Sequence, residues 1–338
     1  MNSFEYFKVF SISEALQLLS KYRRDAKLLA GGTDILLQIR QHIINPLYLI
    51  DLKGISNLNS INYKDGNLDI GASTSLKDTE KSEMIRSRFP ALTEAAHQIA
   101  TIQIRNRATL GGNLCQSIKC PYYNQSHKNL FMRQAITPCF KKSGKICHVT
   151  TWGSDVSNTI VGTSYCKAPL ASDMAIVLAA LGGRVELVAE SGSREVNIDN
   201  FYKKDGKLNV APGEILTRIR IPTGNTSGTA FLTYKVNPNG YTLLSVAISL
   251  LLEDDKRTCR GVKVYLGGVA QQPYCAKNVE GYLKDKKLTE NIIKEAAQML
   301  LENIDVSNDA TIFKVTKARD LFKKAIVKSL EKCGGRLL

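Results

Sequence analysis

Two sets of residues in this chain have the type and spacing for redox chemistry. The first set is a pair of glycine loops, residues 30–34 (Ala-Gly-Gly-Thr-Asp) and 109–113 (Thr-Leu-Gly-Gly-Asn). Glycine has no Cβ, so the backbone N–H groups of such a loop can lie against a phosphate. The second set is five of the eight cysteines, which fall between residues 115 and 166. The sequence therefore suggests two redox cofactors held close together.

Four of these cysteines are candidate metal ligands. Cys120, Cys139, Cys147 and Cys166 have 18, 7 and 18 residues between them, which matches neither a ferredoxin motif nor a zinc ribbon. The residues between them are polar and basic, and a metal centre would replace the apolar core that they lack. Neighbouring lysines and arginines favour the thiolate form that binds metal.

Other side chains compete for the ligand positions. Cys115 could be a spare ligand or a packed small residue, and His127 and His148 are possible substitute ligands that are more often surface residues. Three cysteines lie in the C-terminal part and are interpreted as ordinary thiols: Cys259, Cys275 and Cys333.

Composition bounds the class of protein. The chain has 338 residues, 43% of them hydrophobic, and suggests two or three domains. No secretory signal begins the sequence, and the longest apolar run, 243–252, is too short to cross a bilayer. We expect a soluble cytoplasmic protein that does not bind a membrane. The net charge is +15, but no nucleic-acid-binding module is evident, so nucleic acid is not an expected partner. The basic surface could instead steer an anionic substrate or a partner protein.

Periodicity places the glycine loops between regular elements. A helix over 11–24 with Ser13 as N-cap, a strand over 27–30, a helix from 35 and a strand over 46–52 make a small α/β unit. A hairpin follows over 58–75, with its turn at 64–67. Farther along, apolar patterns predict further elements: helices over 90–100 and 173–181, and strands over 185–188 and 215–221.

The last third of the chain changes character after a linker at 222–228 that is rich in Gly, Thr, Ser and Pro. Three antiparallel strands are predicted over 230–236, 243–252 and 259–267. Three helices are predicted after them, over 278–283, 290–303 and 314–332.

The two glycine loops together resemble those of the FAD-binding subunit of molybdenum hydroxylases, the xanthine dehydrogenase and carbon monoxide dehydrogenase family. The resemblance covers nearly the whole chain. Further motifs contribute to it: Gln-Ile-Arg-Asn at 103–106, Ser172-Asp173, Gly-Glu-Ile-Leu at 213–216, Lys235, and Gly-Gly-Val-Ala at 267–270.

This resemblance implies an α+β fold with two domains. A PCMH-type FAD-binding domain would span 1–223, as a small α/β subdomain (1–57) and a larger mixed subdomain (58–223) that holds a cysteine-bearing insert at about 114–167. A C-terminal domain of three antiparallel strands and helices, like that of the CO dehydrogenase flavoprotein, would span 224–338. The implied cofactor-binding residues are Leu29, Ala30, Gly31, Gly32, Thr33, Asp34, Thr109, Gly111, Gly112, Asn113, Asp173, Leu216 and Lys235.

The cysteine insert resembles that of 4-hydroxybenzoyl-CoA reductase beta subunits, in which the insert carries a [4Fe–4S] cluster. The resemblance gives ligand roles to Cys120, Cys139, Cys147 and Cys166. The segment between Cys147 and Cys166 is about ten residues longer than the pattern. Cys115 is therefore a rival for the fourth ligand.

The implied function is electron transfer by FAD and a [4Fe–4S] cluster, with no catalytic residue for the organic substrate. The implied partners are a ferredoxin-like [2Fe–2S] small subunit and a molybdopterin large subunit, in a dimer of heterotrimers, together with an external carrier such as ferredoxin. Three alternatives remain open: the FAD subunit of a xanthine dehydrogenase-like or other aromatic hydroxylase, an FAD subunit that has lost its cluster, and a zinc-stabilised binding protein without flavin.

Overall fold

Three β-sheets organise the molecule. The computed structural model describes residues 3–118, 120–124, 138–151, 158–162, 165–224, 226–237, 240–306 and 308–335. The spatial strand orders are β1-β3-β2, β4-β5-β8-β6-β7 and β12-β11-β10-β9. The α+β class expected from the sequence is confirmed.

The first sheet is parallel and precedes the first glycine loop. Its strands are β1 (Glu5–Lys8), β2 (Ala26–Leu29) and β3 (Tyr48–Asp51). Helix α1 (Ile12–Tyr22) packs Ala15 and Leu16 against it, and α2 (Ile35–Arg40) follows the loop. The N-cap of α1 is Ser11 and not Ser13, because the side chain of Ser11 accepts from the N–H of Glu14.

The second sheet is antiparallel and carries most of the apolar core. Its strands are β4 (Ile61–Lys64), β5 (Asn67–Gly71), β6 (Arg184–Ala189), β7 (Gly192–Asn197) and β8 (Ile215–Pro222). Two helices share the hydrophobic core with it, α5 (Pro90–Gln98) and α10 (Asp173–Ala180). Almost every side chain of α10 is buried, since this helix also packs against the third sheet.

Shorter helices fill the connections around the second sheet. They are α3 (Leu76–Lys81), α4 (Glu83–Arg88), α6 (Ile102–Arg105), α7 (Leu110–Leu114), α8 (Pro121–Asn124), α9 (His148–Thr151) and α11 (Ile198–Phe201). Helix α7 contains most of the second glycine loop, and α6 lies just before it in the chain.

The third sheet forms the C-terminal unit. Its strands are β9 (Gly228–Tyr234), β10 (Leu244–Leu252), β11 (Cys259–Gly267) and β12 (Tyr274–Cys275). The three predicted antiparallel strands are confirmed, and β12 adds a pair of residues too short to leave a pattern in the sequence. Three helices cover this sheet: α12 (Lys277–Leu283), α13 (Glu290–Met299) and α14 (Asp309–Lys332). In the described parts of the chain, no helix is both long and apolar enough to cross a membrane.

Candidate functional site

A cavity of about 1190 Å³ is lined by residues from segments of all three sheets. Its walls come from the loop after β2, from the second glycine loop, from the start of α10, and from the turns after β9 and β11. The volume exceeds the roughly 300–1,000 Å³ that is usual for small-ligand pockets, which suits a dinucleotide-sized ligand.

The first glycine loop has free donors on its cavity side. Among the described residues, none accepts a hydrogen bond from the backbone N–H of Gly31, Gly32 or Thr33. Gly32 has a φ of +79°, and a Cβ on Gly31 would lie 2.0 Å from the carbonyl oxygen of Arg107. The two glycines thus allow both the turn and its close contact with the segment before the second loop. The unpaired donors fit a pyrophosphate.

The second loop differs from the sequence-based expectation. Its N–H groups are used within the protein: Gly111 donates to Ala72 O (2.8 Å), Gly112 to Thr109 Oγ1 (3.0 Å) and Asn113 to Thr109 O (2.8 Å). The loop forms the short helix α7, with Thr109 as N-cap. The glycines allow close packing here, since a Cβ on Gly111 would lie 2.8 Å from Ala72. The expected row of free N–H groups is therefore found in the first loop and not in the second.

Side-chain hydrogen bonds join the segments around the cavity. Asp34 Oδ2 accepts from the N–H of Ser117 (3.0 Å), which follows the second loop, and from Gln38 (2.7 Å). Ser172 Oγ lies 2.7 Å from Asn113 Oδ1 and links α10 to the second loop. These contacts hold the two loops and α10 at fixed relative positions.

An acidic and a basic side chain interact electrostatically in the wall formed by α10 and the turn after β9. Thr242 donates to Asp173 (2.6 Å), and Lys235 donates to the carbonyl of Gln98. Burial raises the pKa of Asp173, and nearby Lys235 opposes that rise. Burial lowers the pKa of Lys235, while Asp173 raises it. The pair forms a charged side of the cavity close to the start of α10.

The turn after β11 completes the cavity and connects it to the insert. Gly268, with a φ of +81°, lines the cavity, and its carbonyl accepts from the fully buried Lys314 of α14 (2.5 Å). Lys314 also donates to the carbonyl of Asn158. A single buried lysine thus binds the returning end of the insert to the cavity wall.

The structure brings nearly all predicted cofactor-binding residues together. Leu29 is buried and does not line the cavity, so its contact with a cofactor remains a prediction. The residues that line the cavity are Ala30, Gly31, Gly32, Thr33, Asp34, Thr109, Gly111, Gly112, Asn113, Asp173, Leu216 and Lys235.

The four candidate cysteine ligands lie near one another beside this cavity. Cys120, which lines the cavity, and Cys166 belong to one buried cluster. Burial raises the pKa of both thiols; Cys139 adds to both shifts, and Cys147 adds to that of Cys166. Within the described ranges, no group of three or more His, Cys, Asp or Glu side chains is arranged to hold a metal ion. The thiols are close enough to interact electrostatically without forming a closed single-ion site.

A tight loop carries two of these cysteines. Gly144 donates to the carbonyl of Cys139 (3.0 Å), and a Cβ on Gly144 would lie 1.5 Å from Pro138 O. Lys141 donates to the carbonyl of Asp205 (2.9 Å) and attaches the loop to the segment between α11 and β8. The same Lys141 lowers the pKa of Cys166 against the effect of burial.

Comparison with known proteins identifies the family. Residues 2–224 match the FAD binding domain in molybdopterin dehydrogenase, and residues 229–329 match the CO dehydrogenase flavoprotein C-terminal domain. The chain belongs to the FAD-binding medium subunits of the molybdenum hydroxylase family. It is an oxidoreductase subunit that binds FAD, so a zinc-stabilised protein without flavin is excluded.

Individual relatives agree with this assignment. The chain is 31% identical to the FAD-binding subunit of an Escherichia coli aldehyde oxidoreductase, over 81% of this chain and 84% of the relative. It is 25% identical to the glyceraldehyde dehydrogenase medium chain of Sulfolobus acidocaldarius, over 90% of each. A carbon monoxide dehydrogenase from Hydrogenophaga pseudoflava shares the fold, with a TM-score of 0.76 at 23% identity, covering 98% of this chain and 99% of the other.

The remaining candidate ligands of this medium subunit lie in different surroundings. Cys115 lines the cavity and is exposed to it, and the surrounding protein raises the pKa of its thiol to about 12 by desolvation. His148 is buried, with its ring 5.5 Å from that of Tyr122. His127 lies outside the described residues. Burial raises the pKa of each C-terminal thiol, as expected for ordinary packed cysteines: Cys259, Cys275 and Cys333.

Several residues of the cavity wall carry no signal in the sequence. Thr242 binds Asp173, and the segment from Gln98 to Ala100 forms part of the wall. Ala100 has a φ of +47°, and buried Arg105 donates to its carbonyl (3.2 Å). An alanine with a left-handed backbone conformation and a threonine in a loop belong to no recognisable motif. Their position in the cavity wall is therefore evident only from the structure.

Proposed function

We propose that this medium subunit carries one [4Fe–4S] cluster in addition to FAD, as in 4-hydroxybenzoyl-CoA reductase. It would pass electrons between an external carrier such as ferredoxin and two partner subunits. The observation that carries this proposal is the electrostatic interaction among Cys120, Cys139, Cys147 and Cys166 at the wall of the flavin cavity. Four thiols so placed fit the ligand set of a [4Fe–4S] cluster.

The chemistry around these thiols supports a cluster. The insert, residues 114–167, contains seven lysines and arginines and one acidic residue, Asp155. A cluster with four thiolate ligands is negatively charged, and the lysines would offset that charge. Lys141 and Lys142 both interact electrostatically with cysteines of the set.

The same contacts favour Cys166 over Cys115 as the fourth ligand. Cys166 interacts with Cys139 and Cys147, whereas Cys115 lines the flavin cavity and burial alone raises its pKa. In this proposal Cys115 stays a free thiol.

In the FAD site, the free N–H groups of Gly31, Gly32 and Thr33 would hold the pyrophosphate. Asp173, Leu216 and Lys235 would contact the rest of the cofactor. The flavin, which can exchange one or two electrons, supplies the redox chemistry, and the protein sets its position and electrostatics.

The proposed partners are a [2Fe–2S] small subunit and a molybdopterin large subunit, in a cytoplasmic dimer of heterotrimers. Within this chain, we propose that residues 1–223 form the FAD-binding domain and residues 224–338 the C-terminal domain. The cavity draws residues from both, so FAD would join them.

The first experiment is a cofactor analysis of the anaerobically purified protein. Iron, acid-labile sulfide and flavin are measured together with a visible spectrum. About four irons and one FAD per chain are expected. A sample with FAD and no iron would refute the cluster, and reduction of 4-hydroxybenzoyl-CoA by the whole complex tests the substrate separately.

The fourth ligand is tested by two single substitutions. Cys166→Ser should lower the iron content and the cluster absorbance, whereas Cys115→Ser should retain both. Cys333→Ser serves as the control, because Cys333 is half-buried near the end of α14. Full iron retention in Cys166→Ser would remove Cys166 from the ligand set.

A second candidate function is the FAD subunit of another hydroxylase of this family, without a cluster. The relatives favour it, since they include aldehyde, xanthine and caffeine dehydrogenase subunits. Oxidation of an aldehyde or a purine by the complex, with no iron on this chain, would support that candidate.

A further inference from the structure

We propose that Ser172 is a positioning residue that orients the side-chain amide of Asn113, so that Nδ2 faces the FAD cavity as a hydrogen-bond donor. The inference rests on the proposed FAD site and concerns the polarity of one part of its wall. It gives the second glycine loop a means of binding an anion, although the backbone N–H groups of this loop are already in use.

Ser172 is buried, with only 2% of its surface exposed. As the N-cap of α10, its Oγ accepts from the N–H of Ala175 (3.1 Å). The same Oγ lies 2.7 Å from Asn113 Oδ1. An amide oxygen can only accept, so the hydroxyl hydrogen of Ser172 must lie in this contact.

The orientation of Asn113 follows from this bond. With Oδ1 held by Ser172, the Nδ2 group points away from Ser172, and no described residue accepts a hydrogen bond from it. Asn113 lines the flavin cavity. The reversed amide would present oxygen lone pairs to a pyrophosphate and repel it, whereas Nδ2 can donate to it.

Neighbouring contacts hold this corner in place. Gln116 donates to the carbonyl of Ala171 (2.9 Å) and so adds a second contact between the same two segments. The hydroxyl of Tyr202 donates to the carbonyl of Leu114 (2.8 Å) and interacts with Ser172 as well. Donation from Ser172 to Tyr202 is the competing arrangement, in which Ser172 would no longer orient the amide.

The test compares two substitutions of Ser172 in the full chain, from which flavin is removed before titration with FAD. Ser172→Asp keeps an N-cap but can only accept, so it should turn Nδ2 toward itself and present Oδ1 to the cavity. We expect the Kd for FAD, measured by flavin fluorescence, to rise by about tenfold to a hundredfold. Ser172→Thr keeps the hydroxyl and should bind within about threefold of the wild type.

A matched control separates this effect from loss of stability. Ser82 is the N-cap of α4, and its Oγ accepts from the N–H of Ile85 (3.3 Å) outside the cavity. Ser82→Asp makes the same chemical change at another N-cap and should leave the Kd for FAD unchanged. Thermal unfolding of both Asp variants checks that the folded state persists.

A double-substitution cycle identifies the route of the effect. In an Asn113→Ala background, Ser172→Asp should cause little further loss of FAD affinity, because the amide that Ser172 orients is gone. An equal loss in that background would mean direct repulsion by the new carboxylate and would overturn the proposal. Wild-type affinity in Ser172→Asp would also overturn it. A wild-type chain that binds no FAD would refute the FAD site itself, and this inference with it.

Discussion

Gly31 shows how a single missing side chain allows the two glycine loops to meet. Its Cα faces the backbone of Arg107, two residues before the second loop begins, and the carbonyl oxygen of Arg107 occupies the position a Cβ would take. The sequence suggested that glycine was needed for a phosphate. The structure adds a second reason, which is contact between segments about 75 residues apart in the chain.

Replacing Gly31 by alanine should therefore weaken both FAD binding and folding. A Cβ 2.0 Å from a backbone oxygen forces the loops apart. We expect the free energy of unfolding to fall by about 1–3 kcal/mol, as for other overpacked sites. Urea unfolding and FAD titration measure the two effects.

Gly281 provides the matched control for this substitution. It lies inside α12, and a Cβ there would meet nothing within 4 Å. Gly281→Ala should be neutral or stabilising by up to about 1 kcal/mol, because alanine favours a helix. Equal losses in the two variants would contradict the role given to Gly31.

At the scale of elements, the long apolar segments were predictable and the polar ones were not. The extent of β10 follows from a nearly continuous apolar run that is buried on both faces. In β11 buried apolar residues alternate with exposed Arg260 and Lys263 before a buried apolar end, which is also a strand pattern. Strand β7 was missed because five of its six side chains are exposed, so no alternation of apolar residues marks it. The short helix α7 was predicted as a loop, since two glycines oppose helix formation. Its N-cap and the burial of Leu110 and Leu114 stabilise it, and neither is evident from the sequence.

The candidate site was predictable to the extent that it lies on motifs. The glycine loops and Asp173, which line the cavity, could be singled out from the sequence because their residue types are unusual and their spacing is specific.

The charged pairs across the second sheet could not be predicted from the sequence. Asp69 on β5 accepts from Arg220 (2.8 Å) and from Arg218 (3.1 Å) on β8, a contact that depends on strand register over about 150 residues of chain.

This contact between β5 and β8 should make stability depend on pH. Hydrogen bonds from Arg220 hold the pKa of Asp69 below its usual value, which is about 3.9 in an unfolded chain. A lowered pKa adds stability above the unfolded value, and that stability is lost as the pH falls through the folded value. Asp69→Asn should therefore lower the free energy of unfolding by about 1–2 kcal/mol at neutral pH, and the deficit should shrink below about pH 4.

Urea unfolding between neutral and acidic pH measures this deficit. Asp65→Asn is the control, since Asp65 lies in the β4–β5 turn with its side chain 82% exposed and only a 4.0 Å contact to Lys64. It should change stability by less than about 0.5 kcal/mol at any pH. A deficit in Asp69→Asn that persists unchanged in acid would mean that packing, and not the ion pair, is lost.

The whole molecule carries a net charge of +15, and the insert at 114–167 contributes +6 of it, from seven lysines and arginines and one aspartate. Such a surface attracts an acidic protein over distances of the order of the Debye length, about 10 Å at 0.1 M salt. The total net charge raises the rate of all encounters with an acidic partner, wherever the partner lands. Charge placed near the cysteines would raise specifically the rate of the encounters that lead to electron transfer.

The rate of association with the proposed electron carrier can separate the effect of total charge from that of charge near the cysteines. Lys145 is exposed in the loop between Cys139 and Cys147, and Lys64 is exposed at the end of β4. Each Lys→Glu substitution lowers the net charge by the same amount. Lys145→Glu should slow association with an acidic ferredoxin by roughly threefold to tenfold at low salt, and Lys64→Glu should slow it much less.

Stopped-flow reduction of the flavin measures both association rates, once the iron content of each variant is shown to be unchanged. Near 1 M salt, where screening acts within about 3 Å, the difference should vanish. Equal slowing by both variants would assign the attraction to total charge and not to the insert.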